Sequence, residues 1–244
     1  MRYMKALIAL FLVLVTQTVW AQSAVLGPAA NPPDNVLYDY RNSVQLQEEF
    51  ISGATSAGTI GTLSWFLANG TTTIQASETN RPGILRRDTT ATGSTVAYLL
   101  LSGTQTMFTA AGTWEVLWIS RPNNFDGDTT LRVGASSSCT GTPSTGIYFE
   151  KLTTDTNWFA VTRNAGSETR TDSSIAVSAV FRTFKIEHTA SSVRFLIDGV
   201  VVATHTANIP ATGITGCAHI INATANAKTI DYDYFQYTEL GLTR

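Results

Sequence analysis

The sequence predicts an all-β sandwich or barrel, and three observations carry that expectation. Hydrophobic residues recur mostly with a period of two, turn-forming clusters punctuate them at short intervals, and no segment holds a helical stripe over three turns. The expected strands include 45–50, 95–101, 113–121, 129–134, 146–151, 158–163, 181–188, 193–198, 200–206 and 229–237. Between them lie turn clusters such as Asn69-Gly70, 123–128 and 164–166.

Two elements read in more detail. Around Asp198-Gly199, a pair suited to a two-residue turn with positive φ at both positions, the alternation opposes Ile197 to Val200 and Phe195 to Val202. That register places Val193, Phe195, Ile197, Val200, Val202 and Thr204 on a core face, and Arg194, Leu196, Val201, Ala203 and His205 on the other. The stretch Trp114–Ile119 is apolar on both faces, which suits a central strand. Its two tryptophans therefore read as core more readily than as a sugar-stacking platform.

Ahead of the strands, Arg2 and Lys5 precede an apolar run over 6–15, a polar break, and small residues ending at Ala21. This three-part pattern is that of a secretory signal peptide, expected over 1–21. The run is about half of the roughly 20 apolar residues a membrane span needs. A Pro/Ala-rich linker is expected over 22–35 and one domain over 36–244. The expected location is secreted or periplasmic, with no membrane contact in the mature form.

Composition narrows the function classes. The 244 residues are 43% hydrophobic and 14% charged, with a net charge of -2. This excludes a disordered chain and gives no electrostatic footprint for nucleic acid. Cys139 and Cys217 are an even pair, read as a disulfide in an oxidising compartment or as two buried thiols. Asp126 and Asp128 flank Gly127 in a loop that could supply hard oxygen ligands, so Ca²⁺ is the one cofactor the sequence suggests; an ordinary hairpin loop explains the same residues. Asn69-Gly70-Thr71 and Asn222-Ala223-Thr224 have the form of glycosylation sequons and also of turns.

Several segments together resemble the concanavalin A-like jelly roll shared by legume lectins, laminin G modules and many glucanases. They are 184–188, the hairpin 193–202, the closing Ile230-Asp231-Tyr232-Asp233-Tyr234-Phe235, and the opening Glu48-Glu49-Phe50 that pairs with it. More narrowly, 81–88, 146–150 and 160–164 resemble a domain of tailed-phage tail-fibre and structural proteins. The resemblance implies a two-sheet antiparallel jelly-roll sandwich with a structural or adhesive role, and a virion as the alternative location.

Glucanases of this fold carry an E-x-D-x-x-E strand that sets two acids on one face, as glycoside hydrolysis requires. The sequence has no such triplet: Glu115, Glu150 and Glu187 stand singly, and Asp231 and Asp233 alternate without a third acid. A lyase would need a His, Tyr and Arg on one groove, and His205 with Arg194 shares the predicted second face of the hairpin. The leading expectation is a non-enzymatic module that binds a glycan or cell-surface polysaccharide. Trp65, Tyr148 and Trp158 are the expected stacking residues, with Arg194 and His205 as polar partners, and repetition in a homo-oligomer supplies avidity. Rival readings are an exported glycan-cleaving enzyme and a coat or filament subunit without a ligand.

Overall fold

Alternating side chains can bury only one face of a strand, so a chain of this pattern must lay two sheets against each other. The computed structural model describes residues 43–50, 59–63, 65–101 and 108–242. The expected signal peptide and linker lie outside the described residues. The first strands are β1 (Ser43–Glu48), β2 (Thr59–Ile60), β3 (Trp65–Ala68), β4 (Thr71–Gln75), β5 (Ile84–Asp88) and β6 (Val96–Leu100). There follow β7 (Thr113–Asn124), β8 (Thr129–Ser136), β9 (Gly146–Lys151), β10 (Asn157–Asn164) and β11 (Ser167–Ala176). The last are β12 (Arg182–His188), β13 (Val193–Ile197), β14 (Val200–His205), β15 (Thr215–Asn222) and β16 (Thr229–Leu240). Among the described residues there is no helix.

The strands form two antiparallel sheets in a jelly-roll sandwich, as the sequence predicts. The first sheet runs β14-β13-β12-β7-β16-β5-β4, and the second β11-β10-β9-β8-β15-β6-β3-β2. The long closing strand β16 pairs with β7 on one side; on the other it pairs with β5 and then, from Phe235 onward, with β1. The expected meeting of the opening and closing strands is present.

Aromatic rings knit the two sheets. Trp65 of the second sheet meets Trp118 and Phe235 of the first, at centroid distances of 5.2 and 4.8 Å. Trp118 donates its indole N–H to the Gly134 carbonyl at 3.2 Å, a bond that crosses from β7 to β8. Nearer the β11 end, Trp158 and Phe149 of the second sheet pack on Phe184 of the first, at 4.8 and 5.1 Å. Trp114, Val116 and Trp118 are core, as expected, and β7 is an interior strand.

The β13–β14 hairpin turns as predicted, with positive φ at both Asp198 and Gly199 and Ile197 opposite Val200. Beyond that the register differs. A bulge sets Phe195 opposite Ala203 rather than Val202, so Ala203 and His205 turn to the core face and Thr204 turns outward. The predicted sharing of a face by Arg194 and His205 is therefore corrected: Arg194 points to solvent and pairs with Glu187 at 2.8 Å, while His205 is buried.

The inter-sheet aromatic packing is expected to dominate stability. Phe235→Ala should cost about 3–5 kcal/mol, because Trp65 and Trp118 cannot both collapse onto the space left. A loss of unfolding free energy in urea below about 1 kcal/mol would show that the ring cluster is not the fastening of the sandwich.

Candidate functional site

The register of the second sheet brings distant residues into rows on its outer face. One row crosses six strands as Tyr98, His219, Arg132, Glu150, Phe159 and Asp172. The next row runs Leu100, Cys217, Gly134, Tyr148, Val161 and Arg170. Sequence reading missed the Arg132–Glu150–His219 centre. Its signal was Arg132, the one charged residue of its strand, set between the apolar Leu131 and Val133.

The centre of this face is sealed. Arg132 is 4% exposed, Glu150 3%, Tyr148 2% and His219 0%. Residues 137–145, between β8 and β9, cross it as a strap. The strap is tied by the Cys139–Cys217 disulfide, by Arg132 Nη1 donating to the Gly141 carbonyl at 3.2 Å, and by Arg132 Nη2 donating to Thr142 Oγ1 at 3.3 Å. The two cysteines thus form the expected bridge. Gly134 is required beneath, since a Cβ there would come within 2.6 Å of the Tyr148 Cα.

Charge is neutralised within the cluster. Glu150 accepts from Arg132 Nε at 2.7 Å and from Arg170 Nε at 3.1 Å, so each oxygen is held by a guanidinium. Arg170 also pairs with Asp155. Arg132 Nη1 lies 3.0 Å from His219 Nε2. Arginine can only donate, so His219 accepts there and is the neutral tautomer protonated on Nδ1. Burial, reinforced by Arg132, pushes the His219 pKa down to about 3. Burial likewise pushes the Tyr148 hydroxyl up to about 12, with Glu150 adding to the shift.

Toward β11 the same face opens. Phe159 is half-buried, and the Arg170 guanidinium lies over its ring at 3.5 Å. Beside it Asp172 is exposed and accepts from Asn157 Nδ2 at 3.1 and 3.2 Å. Toward β2 the face presents Phe66, 38% exposed, against Tyr98 at 6.2 Å.

The other predicted residues are placed elsewhere. Trp65 and Trp158 are 0% and 1% exposed, so neither offers a ring face to a ligand; cross-sheet packing claims both, and the expectation is corrected. Tyr148 lies on the outer face but is 2% exposed, which also removes it as an open platform. His205 bridges the sheets instead, between Thr162 Oγ1 at 3.0 Å and Thr171 Oγ1 at 2.9 Å.

The proposed calcium loop is corrected as well. The Asp126 carboxylate is paired with Lys228 and accepts from the Asp128 N–H and the Thr129 hydroxyl, which makes it the cap of a tight turn. Lys151 adds a second ammonium, donating to the Asp126 and Thr129 carbonyls at 2.6 and 2.8 Å. Two ammonium groups at the loop oppose a dication. Asp128 is exposed beside them.

Asp231 is clamped by Arg86 at 2.7 Å and Arg121 at 3.0 Å, and Asp233 pairs with Arg81. Glu115 pairs with Lys185 at 2.9 Å. Asn222 is a buried latch whose amide serves Thr95, Thr90, Thr92 and Asn226.

Residues 80–233, more than half of the chain, match the family described as SO2946-like, C-terminal domain. The chain belongs to that family. Among solved structures, this SO2946-like domain is similar to SO2946 of Shewanella oneidensis MR-1, described as a protein of unknown function. The TM-score is 0.63 at 17% identity, covering 89% of this chain and 98% of that one. It is also similar to a Bacillus licheniformis β-glucanase, with TM-score 0.52 and 18% identity over 79% of this chain and 97% of that. A third similar structure is the carbohydrate recognition domain of Emp47p, with TM-score 0.55 and 12% identity over 84% and 99%. No curated protein matches the chain. These likenesses show the fold: the SO2946-like domain is a concanavalin A-like jelly roll, as its residues suggested.

All three histidines are buried in the folded protein, and burial lowers the pKa of each. A base with a depressed native pKa leaves the unfolded chain holding more protons, so stability falls as pH drops below the ordinary value near 6.5. Each histidine that stays neutral should remove up to about 1.4 kcal/mol per pH unit. Urea midpoints at pH 7, 6 and 5 should therefore decline together; a flat profile would contradict the buried, neutral assignments.

Proposed function

We propose that the chain is a non-enzymatic module that binds a saccharide on the open β10–β11 margin of the second sheet. The observation that supports it is the Phe159–Arg170 stack beside the Asn157–Asp172 pair. A ring stacked with a planar guanidinium offers a flat, rigid platform, and the carboxamide and carboxylate next to it offer a donor and an acceptor to sugar hydroxyls. A carbohydrate recognition domain and a glucanase share the fold, which supports a carbohydrate-related role.

The arrangement does not favour hydrolysis. Glycosidases bring two carboxyl groups to roughly 5–10 Å across the scissile bond. Glu150 and Asp155 are the two carboxylates brought together here, but both oxygens of Glu150 are occupied by arginines and Asp155 is paired with the same Arg170, so neither is placed as a free acid or nucleophile. The disulfide supports an oxidising, exported setting, in keeping with the signal-like N-terminus.

On a glycan array the chain should retain a defined subset of glycans. Phe159→Ala and Asp172→Ala should each weaken that retention about tenfold, the equivalent of roughly 1.4 kcal/mol. Val200→Thr, exposed on the other sheet, should leave it unchanged. Absence of any bound glycan, or equal binding by all three variants, would sink the proposal.

A further inference from the structure

The strap over residues 137–145 differs from the rest of the fold in what holds it. Its residues are Ser, Thr, Gly, Cys and Pro, and only Cys139, Pro143 and Thr145 are buried. Cys139, Cys217 and Tyr98 form a small apolar cluster of their own, separate from the main core that fills the sandwich. The base of the strap is fixed by backbone bonds, Ser137 N–H to the Thr145 carbonyl at 2.9 Å and Gly166 N–H to the Ser144 carbonyl at 2.8 Å. Its tip depends on the disulfide, on Ser136 Oγ donating to the Ser138 carbonyl at 2.8 Å, and on the two longer bonds from Arg132. Segments with few apolar contacts open locally at low cost, so the covalent bond is the dominant restraint on the tip.

We propose that the strap is a disulfide-latched lid, and that reducing Cys139–Cys217 lifts its tip and uncovers Arg132 and His219 while the sandwich stays folded. The step is a two-electron exchange with a dithiol. One thiolate attacks a cysteine sulfur to give a mixed disulfide, and the second thiol displaces it. Two electrons and two protons reach the protein as two thiols, and the reductant leaves as its own disulfide. With the lid open, Arg132 loses its partners at Gly141 and Thr142 and gains free donors in line with Phe159 and Asp172. The saccharide platform then extends from β10 across β9 and β8, a consequence that rests on the binding function proposed above.

The three histidines report on this without any glycan. His219 lies under the strap, whereas His188 and His205 are buried within the sandwich, His188 stacked on Trp114 at 4.4 Å and His205 held between two threonines. The full chain should be treated with diethyl pyrocarbonate before and after incubation with dithiothreitol, with free thiols counted and modified peptides mapped. Oxidised protein should show all three histidines protected. Reduced protein should show His219 modified at least tenfold faster, with His188 and His205 still protected. The double variant C139S/C217S should behave as the reduced protein does.

Continued protection of His219 in both the reduced protein and the variant would overturn the lid. So would modification of all three histidines together, because the bridge would then be holding the whole fold. Loss of glycan binding by Phe159→Ala does not enter this readout, so the lid and the saccharide site fail separately.

Discussion

A buried guanidinium is the constraint around which the functional face is built. Arg132 stands at the middle of the second sheet, its charge almost fully removed from water. An unpaired charge there would cost several kcal/mol, so every neighbour must answer it. Glu150 supplies the counter-charge, His219 is held neutral to accept a hydrogen bond, and the strap lends a carbonyl and a hydroxyl. The disulfide then fixes the strap where those acceptors are needed. The same arrangement explains why the centre of the face is closed to solvent, and why the accessible side chains lie at its margin.

The opposite face of the same strands is governed by a different rule. There the side chains are apolar and meet the first sheet through Trp65, Trp118, Phe235, Trp158 and Phe184. Because side chains alternate, each tryptophan committed to this layer is withdrawn from solvent while its chain neighbour points outward. Trp158 goes in and Phe159 comes out; Trp65 goes in and Phe66 comes out. The residues free to meet a partner are thus the less conspicuous aromatics, each one position removed from a tryptophan.

That pattern also explains what the sequence disclosed. The all-β character, the Asp198-Gly199 turn and the interior strand around Trp114–Ile119 are local signals, and they were legible; the pairing of opening with closing strand came only from the family resemblance. The cysteine pair was legible too. The bulge at Val202 was not, since nothing in Val200–His205 marks an extra residue, and one slip reversed His205. Arg132, Glu150 and His219 were illegible as a group because they come from three strands joined only by register. Trp65 and Trp158 looked available because their segments are mixed in polarity, but burial was decided by rings on the other sheet.

The central claim is that the ionic cluster of the second sheet is a support and not a catalytic site. It is tested most directly by incubating the chain with a panel of polysaccharides and measuring newly formed chain ends. The account predicts no release above the blank for any of them. Release from one polysaccharide that disappears in Glu150→Gln, with that variant still folded, would contradict it and make Glu150 a catalytic acid.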